Sequence, residues 1–489
     1  YMTFSAHYAF KSRYIADFSI RRDGTTKFGD NKRWGNFPAL SFRWNVVDEP
    51  WMRGTQKWLS MLSLRPGWGR VGSQPTDEYL FFSKYTGTDS YNGANSIYPS
   101  NIRLSNLQWE EKETWNVGFD LGLFNNMITA DFNIYTQMTS KLLMRDVKLP
   151  SSSGFSSLSW TNVGKMRNNG WEFNVNGTDV VKVGKFRLGF NVTFANNKNE
   201  IVEMDPTALS SLNKDFDNKN GSYLTRIQLN NPFGAIYGFR YKGVYQYSDY
   251  SDVEVPGVSG PNAPVARDEN GNVIRDKAGF TIPMVFGYDK TTNTELYEFQ
   301  GGDAIYEDIN HDGNINELDI VYLGSSLPKI TGGWGLKFSY GRWSLNAQFN
   351  FRVGNKVINE ARMNAESMYN NNNQAASVNW RWRTEGQLAE IPRALYNKGF
   401  NYLGSDRFVE DASFMRLNYL SLGYSLNPKL LRRIGVTSLS INLNASNLFC
   451  LTNYSGADPE VSYGGMNVAT DGAKTPRSRQ FTARVQIGF

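Results

Sequence analysis

In QFTARVQIGF, the last ten residues of the chain, Phe481, Ala483, Val485, Ile487 and Phe489 fall on one side of an extended backbone. Thr482, Arg484, Gln486 and Gly488 fall on the other. Successive side chains of a strand point to opposite faces, so this alternation specifies a strand with one apolar and one polar side. It recurs as Leu439, Ile441, Leu443 and Ala445 in SLSINLNAS, and as Trp343, Leu345, Ala347, Phe349 and Phe351 in RWSLNAQFNFRV. Residues 115–123, 128–134 and 186–194 repeat it, and YMTFSAHYAF at the start of the chain already reads like the middle of a strand.

Two architectures hold such strands. A soluble sandwich buries the apolar face in a core and wets the other. A membrane barrel turns the apolar face to lipid and encloses a wet lumen. Three features favour the barrel. Many runs last about ten residues, enough to cross a bilayer as a tilted strand. Their polar faces carry Asn, Gln, Ser, Thr and Gly more than Lys and Glu. Aromatics recur near strand ends, at Trp44, Trp51, Trp58, Trp115, Tyr340 and Trp343, as interfacial girdles require. Charged residues are only 20% of the chain and aromatics 14%. No stretch approaches eighteen consecutive apolar residues, so the sequence predicts no transmembrane helix. The net charge of +6 is scattered, without the basic cluster that nucleic-acid binding needs. One cysteine, Cys450, and two histidines, His7 and His311, are too few for a Cys/His metal centre.

Connection lengths give a second test, because outer-membrane barrels keep short turns inside and long loops outside. Short links are expected near residue 10 and at 47–57, 124–126, 177–185, 340–342 and 426–436. Long ones are expected at 23–35, 71–112, 139–165, 197–329, 353–411 and 449–479. Short and long alternate without exception if 197–329 is one extracellular excursion. The count is then about 13 membrane strands. Strand-like pieces inside the excursion, such as GAIYGFRYKGVYQ, must sit above the membrane or lie across the rim.

That excursion contains DINHDGNINELD, which has the oxygen spacing of a calcium loop. Asp308, Asn310 and Asp312 would offer side-chain oxygens, Asn314 its carbonyl, Asn316 an oxygen directly or through water, and Asp319 the closing carboxylate. Gly313 allows the tight turn, Ile315 anchors the loop, and His311 is expected to face solvent. Calcium takes six to eight oxygens at about 2.3–2.6 Å. The plain alternative is an Asp/Asn/Gly turn without an ion. An EF-hand would need flanking helices, and the flanking sequence reads as strands and turns. A bound ion would be structural, offsetting the entropy of ordering a long loop.

RYIADFSIRRDGTTKFGDNKRWGNFPALSFRW (13–44), LSLRPGWGRVGSQ (62–74), TNVGKMRNNGWEFNV (161–175), ASFMRLNYLSLGYSL (412–426), NASNLFCLTNYSGADPEV (444–461) and the closing Phe489 together resemble the SusC/RagA-like TonB-dependent transporters. The DxNxDGxI stretch followed by IVYLGSSLPKITGGWG (320–335) is also typical of that family. The resemblance spans nearly the whole chain. It implies an all-β, transmembrane antiparallel barrel of about 22 strands in the Gram-negative outer membrane, with a plug inside. It further implies energy delivered by TonB, a SusD-like surface lipoprotein as lid, and oligosaccharide or oligopeptide cargo. A dimer of transporter–lid pairs is the suggested assembly. This chain corresponds to the C-terminal portion. The plug, the TonB box and about nine front strands are expected outside it.

The remaining candidates are weaker. Tyr79, Phe81, Phe82, Tyr85, Trp160, Trp380 and Trp382 in the long connections could stack on cargo, although loop aromatics more often pack locally. Arg352 and Arg484 face the expected lumen. Glu110, Glu111 and Glu113 read as a rim rather than catalytic carboxylates, GWGRVG (67–72) lacks a phosphate loop's Lys-Ser/Thr, and KLLRRIG (429–435) reads as a basic turn. No enzyme site is expected. The alternative function is a secreted or surface calcium-containing β protein that binds or cleaves polysaccharide, and a passive porin is a lesser one.

Overall fold

The computed structural model describes residues 1–91, 94–213, 223, 226–249, 264–287, 297–431, 435–460 and 468–489. Its backbone is a meander of thirteen strands. The first six are β1 (Met2–Phe10), β2 (Tyr14–Gly24), β3 (Trp34–Asn45), β4 (Leu59–Ser73), β5 (Glu110–Leu123) and β6 (Ile128–Ser140). Then come β7 (Gly164–Val183), β8 (Phe186–Met204), β9 (Ile330–Tyr340) and β10 (Trp343–Val353). The last three are β11 (Phe414–Ser425), β12 (Ser438–Ser446) and β13 (Gln480–Gly488). Each pairs antiparallel with the next, and Cys450–Thr452 adds a short strand beside β11. Strand number and alternation of short and long links agree with the sequence reading. Among the described residues no helix is long and apolar enough to cross a membrane.

Register makes the two faces continuous. One row runs Leu64, Phe119, Phe132, Phe173, Phe194, Gly332, Phe351 and Met415 from strand to strand. The adjacent row, on the opposite face, runs Ser63, Asp120, Asp131, Asn174, Thr193, Gly333, Asn350 and Arg416. The apolar face is uncovered: Phe481 is 72% exposed, Val485 59%, Leu443 53% and Ile134 50%. A sandwich would have buried these side chains in its core, so the sandwich alternative fails here.

Turn chemistry fixes the short ends. Between the paired Phe10 and Tyr14, Lys11 and Ser12 both take positive φ, and the Arg13 amide bonds back to the Phe10 carbonyl at 3.0 Å. Two expectations need correction. Residues 177–185 do not form a loop: β7 continues through a bulge, Val183 pairs with Phe186, and Gly184 at φ 56° makes the turn. The bulge absorbs the extra residues while Val181 and Val183 keep pairing. The excursion also begins later than 197, because β8 stays paired to β7 as far as Met204. Backbone pairing does not stop where lipid ends, so hydrophobic pattern alone underestimates strand length. As expected of pieces that are not membrane strands, the fragment GAIYGFRYKGVYQ divides into Ala235–Gly238 and Tyr241–Val244, which pair with Val321–Ser325 and Ala304–Tyr306 rather than with the wall. In the KLLRRIG turn, residues 432–434 lie outside the described residues, as does Val461 of the 444–461 motif.

Candidate functional site: the loop module and the polar wall

The connection from β8 to β9 folds on its own core. Tyr237, Phe239, Tyr245, Phe286, Phe299, Tyr306, Ile315 and Leu403 are all buried together. Leu403 comes from the β10–β11 connection, so two long loops share this core. Asp303, fully buried, clamps them: Arg393 reaches it at 2.7 Å, Asn401 at 3.2 Å and the Tyr297 hydroxyl at 2.8 Å.

DINHDGNINELD lies on the surface of this core. Asp308 accepts from the Gly313 amide at 2.8 Å and the Asp312 amide at 3.3 Å. Asp312 accepts from the Asn314 amide at 2.8 Å and from the Asn310 side chain at 3.0 Å. Asp319 accepts from the Ile309 and Asn316 amides, both at 2.8 Å, and Asn316 caps the turn that follows it. Gly313 has φ 79°, where an added Cβ would sit 2.9 Å from Ile282 and 3.0 Å from Ala266. Ile315 is fully buried, as expected of an anchor. His311 is half-exposed, and its Nδ1 lies 3.0 Å from the Arg267 carbonyl.

A cation has both support and opposition here. The donors are all oxygens, which suits a hard cation. The Asn314 side-chain oxygen is buried without a hydrogen-bond partner among the described residues. Burial, with the charges of Asp308 and Asp312 adding to it, pushes the Asp319 carboxyl up to about 6, a penalty on the charged form that a cation would offset. Against this, no three acidic, histidine or cysteine side chains converge to hold a metal among the described residues. Asp308 and Asp319 each already accept two amide hydrogens.

The loop rests on a feature that the period-two reading missed. RDENGNVI (267–274) and RDKAGFTI (275–282) are tandem octads. Asp268 accepts from the Asn270 and Asn272 amides, and Asp276 from those of Ala278 and Phe280, at 2.8–2.9 Å. Arg267 and Arg275 reach the carbonyls of Gly271 and Gly279 at 3.0 and 2.9 Å. The Ala266, Ile274 and Ile282 amides close a ring of backbone bonds between the turns. The repeated R-D-x-x-G-x-x-I was the available signal.

The loop aromatics separate by burial. Phe81, Trp160 and Trp382 are buried. Trp160 packs with Phe28, Leu80 and Trp109 and donates to Asp77 at 2.7 Å. Tyr79, Phe82, Tyr85 and Trp380 stay exposed, Trp380 at 78%. The rim acids all have partners: Glu110 accepts from the Leu143 amide, Glu111 pairs with Arg70 and Lys141, and Glu113 with Arg70. GWGRVG lies within β4 and makes no phosphate loop. On the polar wall, Asp120 gathers Ser63 at 2.7 Å, Arg65 at 2.6 Å and Arg43 at 3.4 Å, while Arg352 lies over the Phe414 ring and Arg484 pairs in register with Asn442.

Two of the sequence motifs meet in space. Arg416, from 412–426, binds Asp458 at 2.7 Å and Glu460 at 2.8 Å, both from 444–461. Buried Glu366 similarly holds Arg407 at 2.7 Å and Arg362 at 3.2 Å. The first clamp ties the β12–β13 connection to β11, and the second holds the β10–β11 connection together.

The family model "TonB dependent receptor-like, beta-barrel" matches residues 4–282. TonB-dependent receptor P39 of Formosa agariphila is 28% identical over 497 residues, covering 99% of this chain and 45% of the relative. TonB-dependent receptor SusC of Bacteroides thetaiotaomicron is 25% identical over 500 residues, covering 99% and 43%. The solved RagAB peptide importer in its closed-closed state is similar at 25% identity and a TM-score of 0.73, covering all of this chain and 47% of that one. The chain thus spans about half the length of the relatives it matches. With its thirteen-strand meander and two-faced register, it belongs to the TonB-dependent receptor-like β-barrel family.

Proposed function

We propose that the chain forms the wall and outer loops of an active importer in the Gram-negative outer membrane. Cargo is an oligosaccharide or an oligopeptide. A SusD-like lipoprotein covers the outer loops, and TonB supplies energy through a part of the protein outside this chain. Transporter–lid pairs associate as dimers. The observation that carries this reading is the uncovered apolar face backed by a continuous polar wall, since only lipid outside and water inside suit both. The similarity to TonB-dependent receptors and to a solved peptide importer supports the importer reading and, among the cargo classes, the peptide one.

The test is uptake. Cells lacking the full-length gene are given fluorescent oligosaccharide and oligopeptide pools. Loss of accumulation of one pool, reproduced by deleting TonB, supports the importer. Unchanged uptake of both pools refutes it. Native mass spectrometry of the detergent-extracted protein then reads whether a lipidated partner travels with it.

A calcium ion held by Asp308, Asn310, Asp312, Asn314, Asn316 and Asp319 is part of the proposal. Bound there, it supplies charge neutralisation and holds the loop against the tandem octads. Chelation that leaves both metal content and protease sensitivity of 205–329 unchanged would count against it.

A further inference from the structure

The apolar face carries a groove of about 880 Å³ near the long-loop end of β3 to β8. Register explains its shape. One row across these strands reads Leu40, Trp68, Trp115, Thr136, Asn169, Lys198. The row beneath it reads Pro66, Val117, Ile134, Trp171, Asn196. Two indoles therefore stand beside the short Thr136 and Asn169, and the step between them opens the groove over Val117 and Ile134. Glu113 holds both indoles in place, accepting from Trp68 at 2.9 Å and Trp115 at 3.1 Å. Thr136 donates to Asn169 at 2.6 Å, which keeps that side low.

The next row outward is charged: Arg70, Glu113, Met138, Arg167, Glu200. Beyond it, Lys165 pairs with Glu203. Arg167 and Lys198 both lean on Glu200, at 3.5 and 3.2 Å, and the Lys198 side chain is 73% exposed. Three cations thus face two carboxylates at this end of the groove. Apolar floor, aromatic wall and surplus positive charge follow in the order of a membrane lipid's chain, interface and anionic headgroup.

We propose that this groove is a specific site for a phosphate-bearing membrane lipid, with an acyl chain between Trp115 and Trp171 and its phosphate on Arg167 and Lys198. The proposal rests on the membrane-spanning reading above. Continuity with the lipid-facing surface and charge complementarity select a lipid rather than a protein partner.

The experiment places the full-length protein in phosphatidylcholine nanodiscs doped with either bis-phosphorylated or dephosphorylated lipid A. Native mass spectrometry after delipidation counts the retained molecules. Preferential retention of the phosphorylated form is expected. The Arg167→Gln/Lys198→Gln pair should lower it about thirtyfold. Thr136→Trp should abolish it by filling the groove, with heat-modifiable gel mobility showing that the barrel is intact. Equal retention of both lipids, or full retention by Thr136→Trp, overturns the site. So does displacement of the lipid by inorganic phosphate alone, which would mark an ion site. Failure of the membrane reading looks different, since such a protein would stay dispersed without detergent and show no heat-modifiable band.

Discussion

Ala347→Arg tests the assignment of the two faces directly. Ala347 lies on β10 four residues from Trp343, at the short-turn end. At about 3.3 Å per residue and a tilt near 40°, that is about 10 Å along the membrane normal. The apolar band is about 25 Å tall, so Ala347 sits close to its middle. Its cross-strand neighbours are Leu336 and Leu420, which offer an arginine no polar partner. The expected cost is about 2–4 kcal/mol. Gln348, the next residue, points to the polar wall and bonds Asn191 and Asn346, each at 3.2 Å. Gln348→Arg loses about 1 kcal/mol of hydrogen bonding and keeps its charge in water. The two variants should therefore differ by about 2 kcal/mol, or roughly thirtyfold in folding equilibrium. Urea titration of the full-length protein in phospholipid vesicles, followed by tryptophan fluorescence and gel mobility, measures the difference. Equal effects, or a larger one from Gln348→Arg, would refute the face assignment.

Other outcomes follow from the long connections. Gly313→Ala forces a left-handed φ and a contact with Ile282, so it should cost at least about 1–2 kcal/mol and speed proteolysis within 205–329. Glu366→Ala strips the partner from buried Arg407 and should cost about 3–5 kcal/mol, read as lost hydrogen-exchange protection of Glu360–Glu366; unchanged protection would show the pair to be idle. Burial raises the Glu410 carboxyl, but hydrogen bonds from Ser455, Arg362 and Asn359 outweigh it and hold the group below its ordinary 4.5. A depressed carboxylate stabilises the fold above the unfolded value and loses that contribution as pH falls through the folded one. Protection around Val409–Asp411 should therefore be flat from pH 7 to about 5 and fall below about 4.5. If instead it rises on acidification, the assignment is wrong.

The alternation of side chains was enough to specify the sheet. A period of two leaves one choice of face per strand, so thirteen strands, their antiparallel order and the lipid side were legible before any contact was known. Local chemistry was legible too, at Gly313, because positive φ is a property of a few neighbouring residues. Contacts between distant segments were not. Trp160, Trp380 and Trp382 look alike in sequence, yet two are buried and one is exposed, because long loops decide their packing by what lies beneath them. The same holds for Asp458 and Glu460. They read as part of a motif, but their work is to close on Arg416, 42 residues away for Asp458. The tandem octads carry no period-two signal, since their order comes from aspartate-capped turns. Sequence thus determined everything set by the period of the backbone. Tertiary structure decided which loop groups share a core, because that choice depends on burial and charge pairing between segments whose separation no local pattern encodes.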